Sequence, residues 1–284
     1  MAPASADAQA QLIGADFVTG RLYDVDPTTG AASNPRETGI DFLNGIEFSA
    51  NGTLYGISNG SSASGANAIY TIHPLTGAST LVGITGLSNV VEGDLTFRPA
   101  TGVLYGAVEA VSAQPGRLFT VNLTTGAATI IGPVGTPQTD LSGLAFAPDG
   151  RLLALESTDD RLFTIDPATA AILTDIPLSV NLGPVAGLAL DPSTGILYVA
   201  DGDENGTDSL YRLDPSTGTL TLVGSTGLPD GLASLAFVPE PASLSLLGLG
   251  GIGLLRRRSR PSRESNAEPA RSSVSPSPPC AVPQ

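Results

Sequence analysis

The segment RLYDVDPTTG, residues Arg21–Gly30, decides the fold because the chain repeats it. The later copies read IYTIHPLTG, RLFTVNLTTG, RLFTIDPATA and LYRLDPSTG, at Ile69–Gly77, Arg117–Gly126, Arg161–Ala170 and Leu210–Gly218. A second segment, which reads NGIEFSANGTLYGIS from Asn44, recurs between these copies. The aligned turn residues are spaced by 47, 49, 44 and 48 positions. A period of roughly 40–50 residues with four strands per unit is typical of a β-propeller.

Each repeat is predicted to form four strands joined by tight turns. In the second unit these strands are Gly45–Phe48, Leu54–Ser58, Ile69–Ile72 and Ser79–Gly83. The Asp-Pro-x-Thr-Gly turns combine the fixed φ of proline with the positive φ that glycine tolerates. The innermost strands begin with small residues, such as Gly45 and Gly143, which indicates close packing around one axis.

The ends of the repeat region predict how the propeller closes. The chain begins with the second, third and fourth strands of a unit, and its repeats end with a lone first strand, Leu232–Val238. Pairing this strand with the N-terminal strands would complete a fifth blade and remove two exposed edges. The sequence therefore predicts an all-β, five-bladed propeller with four-stranded blades over residues 11–238, closed by its N- and C-terminal strands.

The charge and the rare residues of the body limit its chemistry. Residues 1–240 contain 25 acidic residues and seven arginines, whereas residues 241–284 contain two acidic residues and six arginines. An acidic body repels phosphate backbones, so we expect no nucleic-acid partner. His73 is the only histidine and Cys280 the only cysteine. This excludes His-rich zinc sites and Cys–His dyads in the body and argues against most hydrolytic mechanisms.

The sequence after the repeats has three ordered features: a Pro-Glu-Pro motif, the apolar, glycine-rich stretch Ser243–Leu255, and an arginine cluster. An apolar segment can enter a bilayer while arginines remain on the cytoplasmic side. From Val238 to Arg260 this order resembles the PEP-CTERM sorting signal of exported bacterial proteins. The resemblance implies that an exosortase recognises the motif in the membrane and removes or replaces the tail. The recognition and stop residues it implies are Pro239, Glu240, Pro241, Arg256, Arg257 and Arg258.

The same resemblance implies an exported protein that passes through an inner-membrane intermediate to the surface or exterior of a Gram-negative-type bacterium. We expect residues 239–260 to form the sorting signal with a hydrophobic, membrane-entering helix; the alternative is a buried core helix. The apolar run Ala242–Leu255 is shorter than the ~20 residues that span a bilayer. Residues 261–284, rich in Ser, Pro and Arg, are predicted to be a disordered tail.

The first ten residues lack the basic and apolar regions of an export signal. We interpret residues 1–10 as a residual leader or linker and expect the true start to lie upstream. Ala8-Gln9-Ala10 resembles the small-x-small site that precedes signal cleavage.

An acidic loop is the first candidate metal site. Residues 201–208 resemble the first half of a calcium loop, in which carboxylate and amide oxygens converge on a hard cation. The expected ligands are Asp201, Asp203, Asn205 and Asp208. The twelfth position of the loop is Arg212 instead of glutamate, which excludes a full EF-hand. The alternative is a solvated acidic loop between two strands.

One mouth of the propeller axis is the second candidate site. The second strands end there and the first strands begin there, so their carboxylates should gather around the axis. The expected residues are Asp16, Glu92, Asp94, Glu156 and Asp201, with Asp140 nearby. Such a mouth could hold a metal-bound water, as in lactonase-type propellers that hydrolyse small lactones. A solvent-facing rim is the alternative.

Three functional hypotheses follow from these features. The first is a monomeric, non-enzymatic surface or matrix protein whose rigid propeller binds extracellular polysaccharide, metal ions or other proteins. The second is a lactonase-type hydrolase that uses carboxylates at the axial mouth. The third is a calcium-dependent adhesion module that uses residues 201–208. The body also resembles the loosely related repeat propellers of bacterial surface proteins, which implies a fold and not an activity.

Overall fold

The computed structural model describes residues 11–88, 90–109, 115–202, 208–229 and 231–239. The chain divides into two units, Met1–Glu240 and Pro241–Gln284. The second unit lies outside the described residues, and with it the predicted hydrophobic helix and disordered tail. The leader at residues 1–10 also lies outside them. No helix within the described residues has the length and apolar character needed to cross a membrane.

The described residues form five antiparallel, four-stranded sheets, which are the blades of a propeller. Blade 1 contains β1 Leu12–Asp16, β2 Leu22–Val25, β3 Ala32–Arg36 and β20 Leu232–Phe237. Blade 2 contains β4 Leu43–Phe48, β5 Leu54–Ser58, β6 Ala68–Ile72 and β7 Ser79–Ile84. Blade 3 contains β8 Gly93–Arg98, β9 Val103–Val108, β10 Gly116–Val121 and β11 Ala128–Val134. Blade 4 contains β12 Leu141–Phe146, β13 Leu152–Glu156, β14 Arg161–Ile165 and β15 Ile172–Pro177. Blade 5 contains β16 Val185–Leu190, β17 Leu197–Gly202, β18 Ser209–Asp214 and β19 Thr219–Ser225.

Blade 1 closes the propeller by joining the two ends of the repeat region. Strand β20 pairs antiparallel with β1, with Leu12 opposite Phe237 and Gly14 opposite Leu235. One residue further on, the Val238 N–H donates to the Gln11 carbonyl oxygen at 2.8 Å. The predicted five-bladed architecture and its closure by terminal strands are therefore confirmed.

The inner strands β4, β8, β12, β16 and β20 surround the axis and contact one another in that order. They approach too closely for larger side chains at some positions. A Cβ atom on Gly45 would lie 2.8 Å from the Asp94 Cα, and one on Gly187 would lie 2.7 Å from the Ser234 Cα. The close packing expected from the small residues is observed at both positions.

Aromatic pairs join neighbouring blades, because each sheet buries both of its faces. Tyr105 of β9 contacts Phe146 of β12 edge-on, with ring centroids 5.4 Å apart. Tyr198 of β17 lies in a tilted arrangement against Phe237 of β20, at 5.5 Å. These pairs add directional contact to the burial of apolar surface between blades.

The aspartates of the repeated turns serve the backbone. The Asp26 carboxylate accepts a hydrogen bond from the Thr28 N–H at 2.7 Å, and the Asp214 carboxylate accepts one from the Ser216 N–H at 2.9 Å. Hydrogen bonds from the side chains and backbone of these neighbours lower the pKa of both aspartates. These two aspartates therefore belong to turn structure.

Candidate functional site

A hydrogen-bonded pair of side chains fills the middle of the axial channel. The Ser234 Oγ donates to Asp94 Oδ1 at 2.6 Å and accepts from the Ile46 N–H at 2.9 Å. Asp94 Oδ2 accepts from the Leu144 N–H at 3.0 Å. Burial raises the pKa of Asp94 well above its usual value, although the hydrogen bonds from Ser234, Leu144 and Leu95 oppose this shift. Inner strands of blades 1, 2, 3 and 4 thus meet at this pair.

Asp94 therefore lies deeper in the fold than the mouth where the sequence pattern puts it. It is only 1% exposed, because its carboxylate satisfies backbone N–H groups of its own strand and of β12. We call the end of the channel where the inner strands begin the upper mouth. It is lined by Phe17, Asn44, Glu92, Gly93, Ser142, Val185 and Ala233.

Two polar side chains at the upper mouth have unused hydrogen-bonding capacity. Asn44 donates through Nδ2 to the Val91 carbonyl oxygen at 3.0 Å, while its Oδ1 has no partner among the described residues. The buried Ser142 Oγ likewise has no hydrogen-bond partner within the described part of the chain. Buried polar groups are usually paired, so Asn44 Oδ1 and Ser142 Oγ are exceptions within the described part of the chain.

Three carboxylates gather beside this mouth. One oxygen from each of Glu92, Glu109 and Asp140 lies within 4.8 Å of the other two. The pairing of Gly93 with Val108 puts the glutamates next to each other at one end of blade 3, and Asp140 immediately precedes β12 of blade 4. Carboxylates at this spacing are suitable ligands for a hard divalent cation such as calcium.

The electrostatics of this carboxylate cluster reflect both burial and repulsion. Burial, the hydrogen bond to Asp140, and the charges of Asp140 and Glu92 together raise the pKa of Glu109 to about 9. Asp140 Oδ1 is buried and has no hydrogen-bond partner among the described residues. A bound cation would replace the proton that holds these carboxyl groups together.

The sequence pattern pointed to Glu92 and Asp140 but missed Glu109. In blade 3 the aligned end of the second strand is Val108, and the carboxylate comes one residue later. Inspection of the residue after each strand end would have found it. The structure brings together Glu92 and Asp140, which were both expected near the mouth, with Glu109, which was not.

The other predicted mouth carboxylates bind loop backbone. The Asp16 carboxylate accepts from the Thr19 N–H at 2.8 Å, and the Asp201 carboxylate accepts from the Gly183 N–H at 2.7 Å. The Glu156 carboxylate accepts from the N–H groups of Asp140 and Asp159, at 3.2 and 2.9 Å. Burial raises the pKa of Glu156 and these hydrogen bonds oppose the rise. These groups shape the loops around the mouth.

The predicted calcium loop is only partly described. Asp203 and Asn205 lie outside the described residues. Asp208 is 1% exposed, and its carbonyl oxygen accepts from the Thr226 N–H at 2.8 Å. Calcium binding by this loop stays a prediction. Of the sorting residues, Pro239 is described, whereas Glu240, Pro241, Arg256, Arg257 and Arg258 are not.

A family model described as a repeat of unknown function, DUF6923, matches residues 94–238, which make up half of the chain. The chain belongs to this DUF6923 repeat family. The PEP-CTERM protein-sorting motif matches residues 237–259 of this DUF6923 chain, which confirms the predicted sorting signal. This motif marks an exported protein that is sorted through the membrane in Gram-negative-type bacteria and processed by an exosortase. No curated protein sequence matches the chain.

Solved structures similar to this DUF6923 protein share its fold at low identity. A protein of unknown function from Bacteroides caccae is 12% identical with a TM-score of 0.53, over 82% of this chain and 100% of the other. A chain of the nidogen/laminin complex is 13% identical with a TM-score of 0.52, over 81% and 98%. The periplasmic gluconolactonase of Pseudomonas aeruginosa is 16% identical with a TM-score of 0.42, over 76% and 82%. The two structures with TM-scores above 0.5 are evidence of fold and not of activity.

Proposed function

We propose that this protein is a non-enzymatic binding scaffold at the cell surface or in the extracellular matrix, where an exosortase separates its propeller from the C-terminal tail. The position of the sorting motif relative to the closing strand carries the proposal. Strand β20 ends at Phe237. We call its pairing with β1 the seam of the propeller, and the last backbone hydrogen bond of this seam is made by Val238. Processing beyond Pro239 would therefore remove no strand and break no hydrogen bond of the described body.

The filled channel and the charge of the body support a scaffold. The Asp94 and Ser234 side chains hydrogen-bond to each other and are 1% and 0% exposed, so the axis is not open to solvent at this level. The body carries a net charge of −18, from 25 acidic residues and seven arginines over residues 1–240. Such a surface favours basic proteins, or acidic polysaccharide bridged by divalent cations. The scaffold acts as a monomer in this proposal.

The test is a mass-spectrometric measurement of both termini in cells that carry the exosortase. We expect the extracellular fraction to contain a chain that has lost everything after about Pro241. A variant with Glu240→Ala should keep its full tail and accumulate at the membrane, whereas the matched variant Glu268→Ala should be processed normally. Extracellular protein that retains Gln284 would contradict the proposal.

A metal-dependent hydrolase is the second candidate function, and the carboxylate cluster of Glu92, Glu109 and Asp140 favours it. The three carboxylates fit a hard cation, and the unused Ser142 Oγ and Asn44 Oδ1 lie at the adjacent mouth. A cation there would supply an activated water for the hydrolysis of a small ester or lactone. The residues Glu92, Glu109 and Asp140 would hold the cation.

Calcium titration and lactone turnover separate the two candidates. Calorimetry should detect calcium binding that is lost in Glu109→Gln and Asp140→Asn but kept in Asp149→Asn, whose carboxylate pairs with Arg151 on an exposed turn. If calcium binds without turnover of γ- or δ-lactones, the cation belongs to the scaffold. Turnover that disappears in both cluster variants would instead establish the hydrolase.

A further inference from the structure

A second pocket lies at the end of the axis where the inner strands finish, and we call it the lower pocket. Its volume is ≈ 210 Å³. Its apolar walls come from all five blades, because each inner strand contributes a large apolar residue at the equivalent repeat position. These residues are Phe48, Phe97, Phe146, Leu190 and Phe237. The Asp94–Ser234 pair separates the lower pocket from the upper mouth.

Arg98 gives this apolar pocket a positive charge. It lines the pocket, and its guanidinium carbon lies 5.9 Å from the centroid of the Phe146 ring. It makes no ion pair within the described part of the chain. Four other arginines of the acidic body do pair with a carboxylate: Arg21, Arg36, Arg151 and Arg161. Arg98 is thus a cation held against an aromatic wall with its charge uncompensated by a nearby described acid.

The one acidic side chain in the lining, among the described residues, is Glu47. Its Oε1 accepts from the Phe48 N–H at 2.7 Å, and the Thr96 hydroxyl donates to the same carboxyl group. Burial raises the pKa of Glu47 to about 8, although these hydrogen bonds oppose the rise. At neutral pH most Glu47 side chains therefore hold a proton and can donate a hydrogen bond to a ligand.

Two further described carboxylates adjoin the lining in sequence, and neither forms an ion pair with Arg98. Asp94 lies deeper along the same inner strand, and burial raises its pKa well above the usual value. Asp191, between the lining residues Leu190 and Pro192, binds the side chains of Ser193 and Thr194, both at 2.7 Å. Among the described residues, the lower pocket consequently combines one arginine without an ion pair, one carboxyl group with a raised pKa, and walls of phenylalanine and other apolar side chains.

We propose that the lower pocket binds a small organic acid, whose carboxylate pairs with Arg98 and whose ring-sized apolar body lies against Phe48, Phe97 and Phe237. Arginine is suited to this because its planar fork donates two parallel hydrogen bonds to a carboxylate. The volume fits such a ligand, since a cavity of about 150 Å³ already accommodates a benzene ring. This site is separate from the carboxylate cluster and independent of the export proposal.

Calorimetry on the full-length chain with three matched probes tests the proposal. The probes are phenylacetate, the neutral phenylacetamide and the cationic phenethylamine. We expect the Kd for the amide to be about tenfold or more above that for the acid, because a charged hydrogen-bonded pair is stronger than a neutral one. The amine should bind more weakly than either. Equal binding of acid and amide, or preference for the amine, would overturn the proposal.

Three arginine variants assign the charge to one residue. Arg98→Ala should raise the Kd for phenylacetate about tenfold and abolish the discrimination between acid and amide. Arg212→Ala is the matched control, because Arg212 also lies over an aromatic ring, 5.8 Å from the Tyr198 centroid, but does not line the pocket. Wild-type affinity in Arg98→Ala, with native circular dichroism, would also overturn the proposal. Arg98→Lys should retain the preference for the acid.

Discussion

The Ser234 hydroxyl donates to Asp94 Oδ1 at 2.6 Å across the propeller axis, between residues 140 positions apart in the sequence. Through the same oxygen, Ser234 accepts from the Ile46 N–H, and through Oδ2, Asp94 accepts from the Leu144 N–H. A few polar atoms thereby link the inner strands of four blades. The pair also explains why the channel is closed in a protein whose inner strands begin with glycine and other small residues.

Replacing Ser234 by alanine should destabilise the propeller. The change leaves the Ile46 N–H and one Asp94 oxygen without their partner in a site that is 0% exposed at Ser234. A buried unsatisfied group costs about 1–3 kcal/mol, so the free energy of unfolding should fall by about that amount. Urea denaturation followed by circular dichroism measures it. Ser33→Ala, on an exposed strand position, should change stability by less than about 0.5 kcal/mol.

The stability of the protein should fall as the pH rises, in part because of Glu47. Its pKa is raised to about 8 in the folded protein, so the folded state binds a proton more tightly than the unfolded chain. The stabilisation from that proton is complete below the unfolded pKa, near 4.5, and is lost as the pH rises toward 8. One group contributes at most about 1.4 kcal/mol per pH unit.

The variant Glu47→Gln isolates this contribution. It keeps the shape and the acceptor for the Phe48 N–H, so its free energy of unfolding should depend less on pH between 5 and 8 than that of the wild type. Chemical denaturation at several pH values gives both curves. A difference between them that is independent of pH would show that Glu47 is ionised in the folded protein. Glu37→Gln, at an exposed position just after β3 where Glu37 pairs with Arg21, controls for the loss of a surface carboxylate and its exposed ion pair.

Adding one methyl group at Gly187 should disrupt the ring of inner strands. The new Cβ would lie 2.7 Å from the Ser234 Cα, a backbone atom that cannot move without shifting β20. Overpacking of this kind costs about 1–3 kcal/mol, measured as a lower denaturation midpoint. Gly150→Asn is the matched control, because no atom lies within 4 Å of its Cβ and asparagine tolerates the positive φ of that turn. Equal losses in both variants would mean that the ring adapts.

Truncation tests the closing strand. A chain that ends at Glu240 keeps β20 and should melt cooperatively at the temperature of the full-length protein. A chain that ends at Gly231 loses β20, which exposes the edge of β1 and removes an inner strand from the ring. We expect it to aggregate or to lack a cooperative transition by calorimetry. If the shorter chain melts normally, β20 is not needed for closure.

The repeat determined most of the fold but little of the candidate sites. Hydrogen-bonded hairpins recur in every unit, so turn residues alone located the strands to within one or two residues and predicted the closing strand. Sites depend instead on residues that break the repeat. Glu47 and Arg98 each occur at a position where the other units have different residues, and only the structure brings them into one pocket.

Only some features of the upper mouth could be predicted from the sequence, because the others do not follow the repeat. Glu92 and Asp140 follow from the positions where inner strands begin, but Glu109 lies one residue past the aligned strand end. Asp94 satisfies backbone N–H groups of two inner strands and is drawn inside the channel. A repeat in the sequence does not predict a hydrogen bond between residues as far apart in the chain as Leu144 and Asp94. The ring of phenylalanines in the lower pocket was likewise indistinguishable from ordinary core in the sequence.

The hydrogen bond from Val238 to Gln11 has a mechanical consequence. Strands β1 and β20 are antiparallel, so the two chain ends leave the seam side by side at the same end of the pair. Tension between the two termini would therefore break the hydrogen bonds between β1 and β20 one after another, as in unzipping. It would not load all of these bonds at once, as shear would. A propeller pulled by its ends would therefore open first between β1 and β20, while the four other blades, each continuous in sequence, would still be folded.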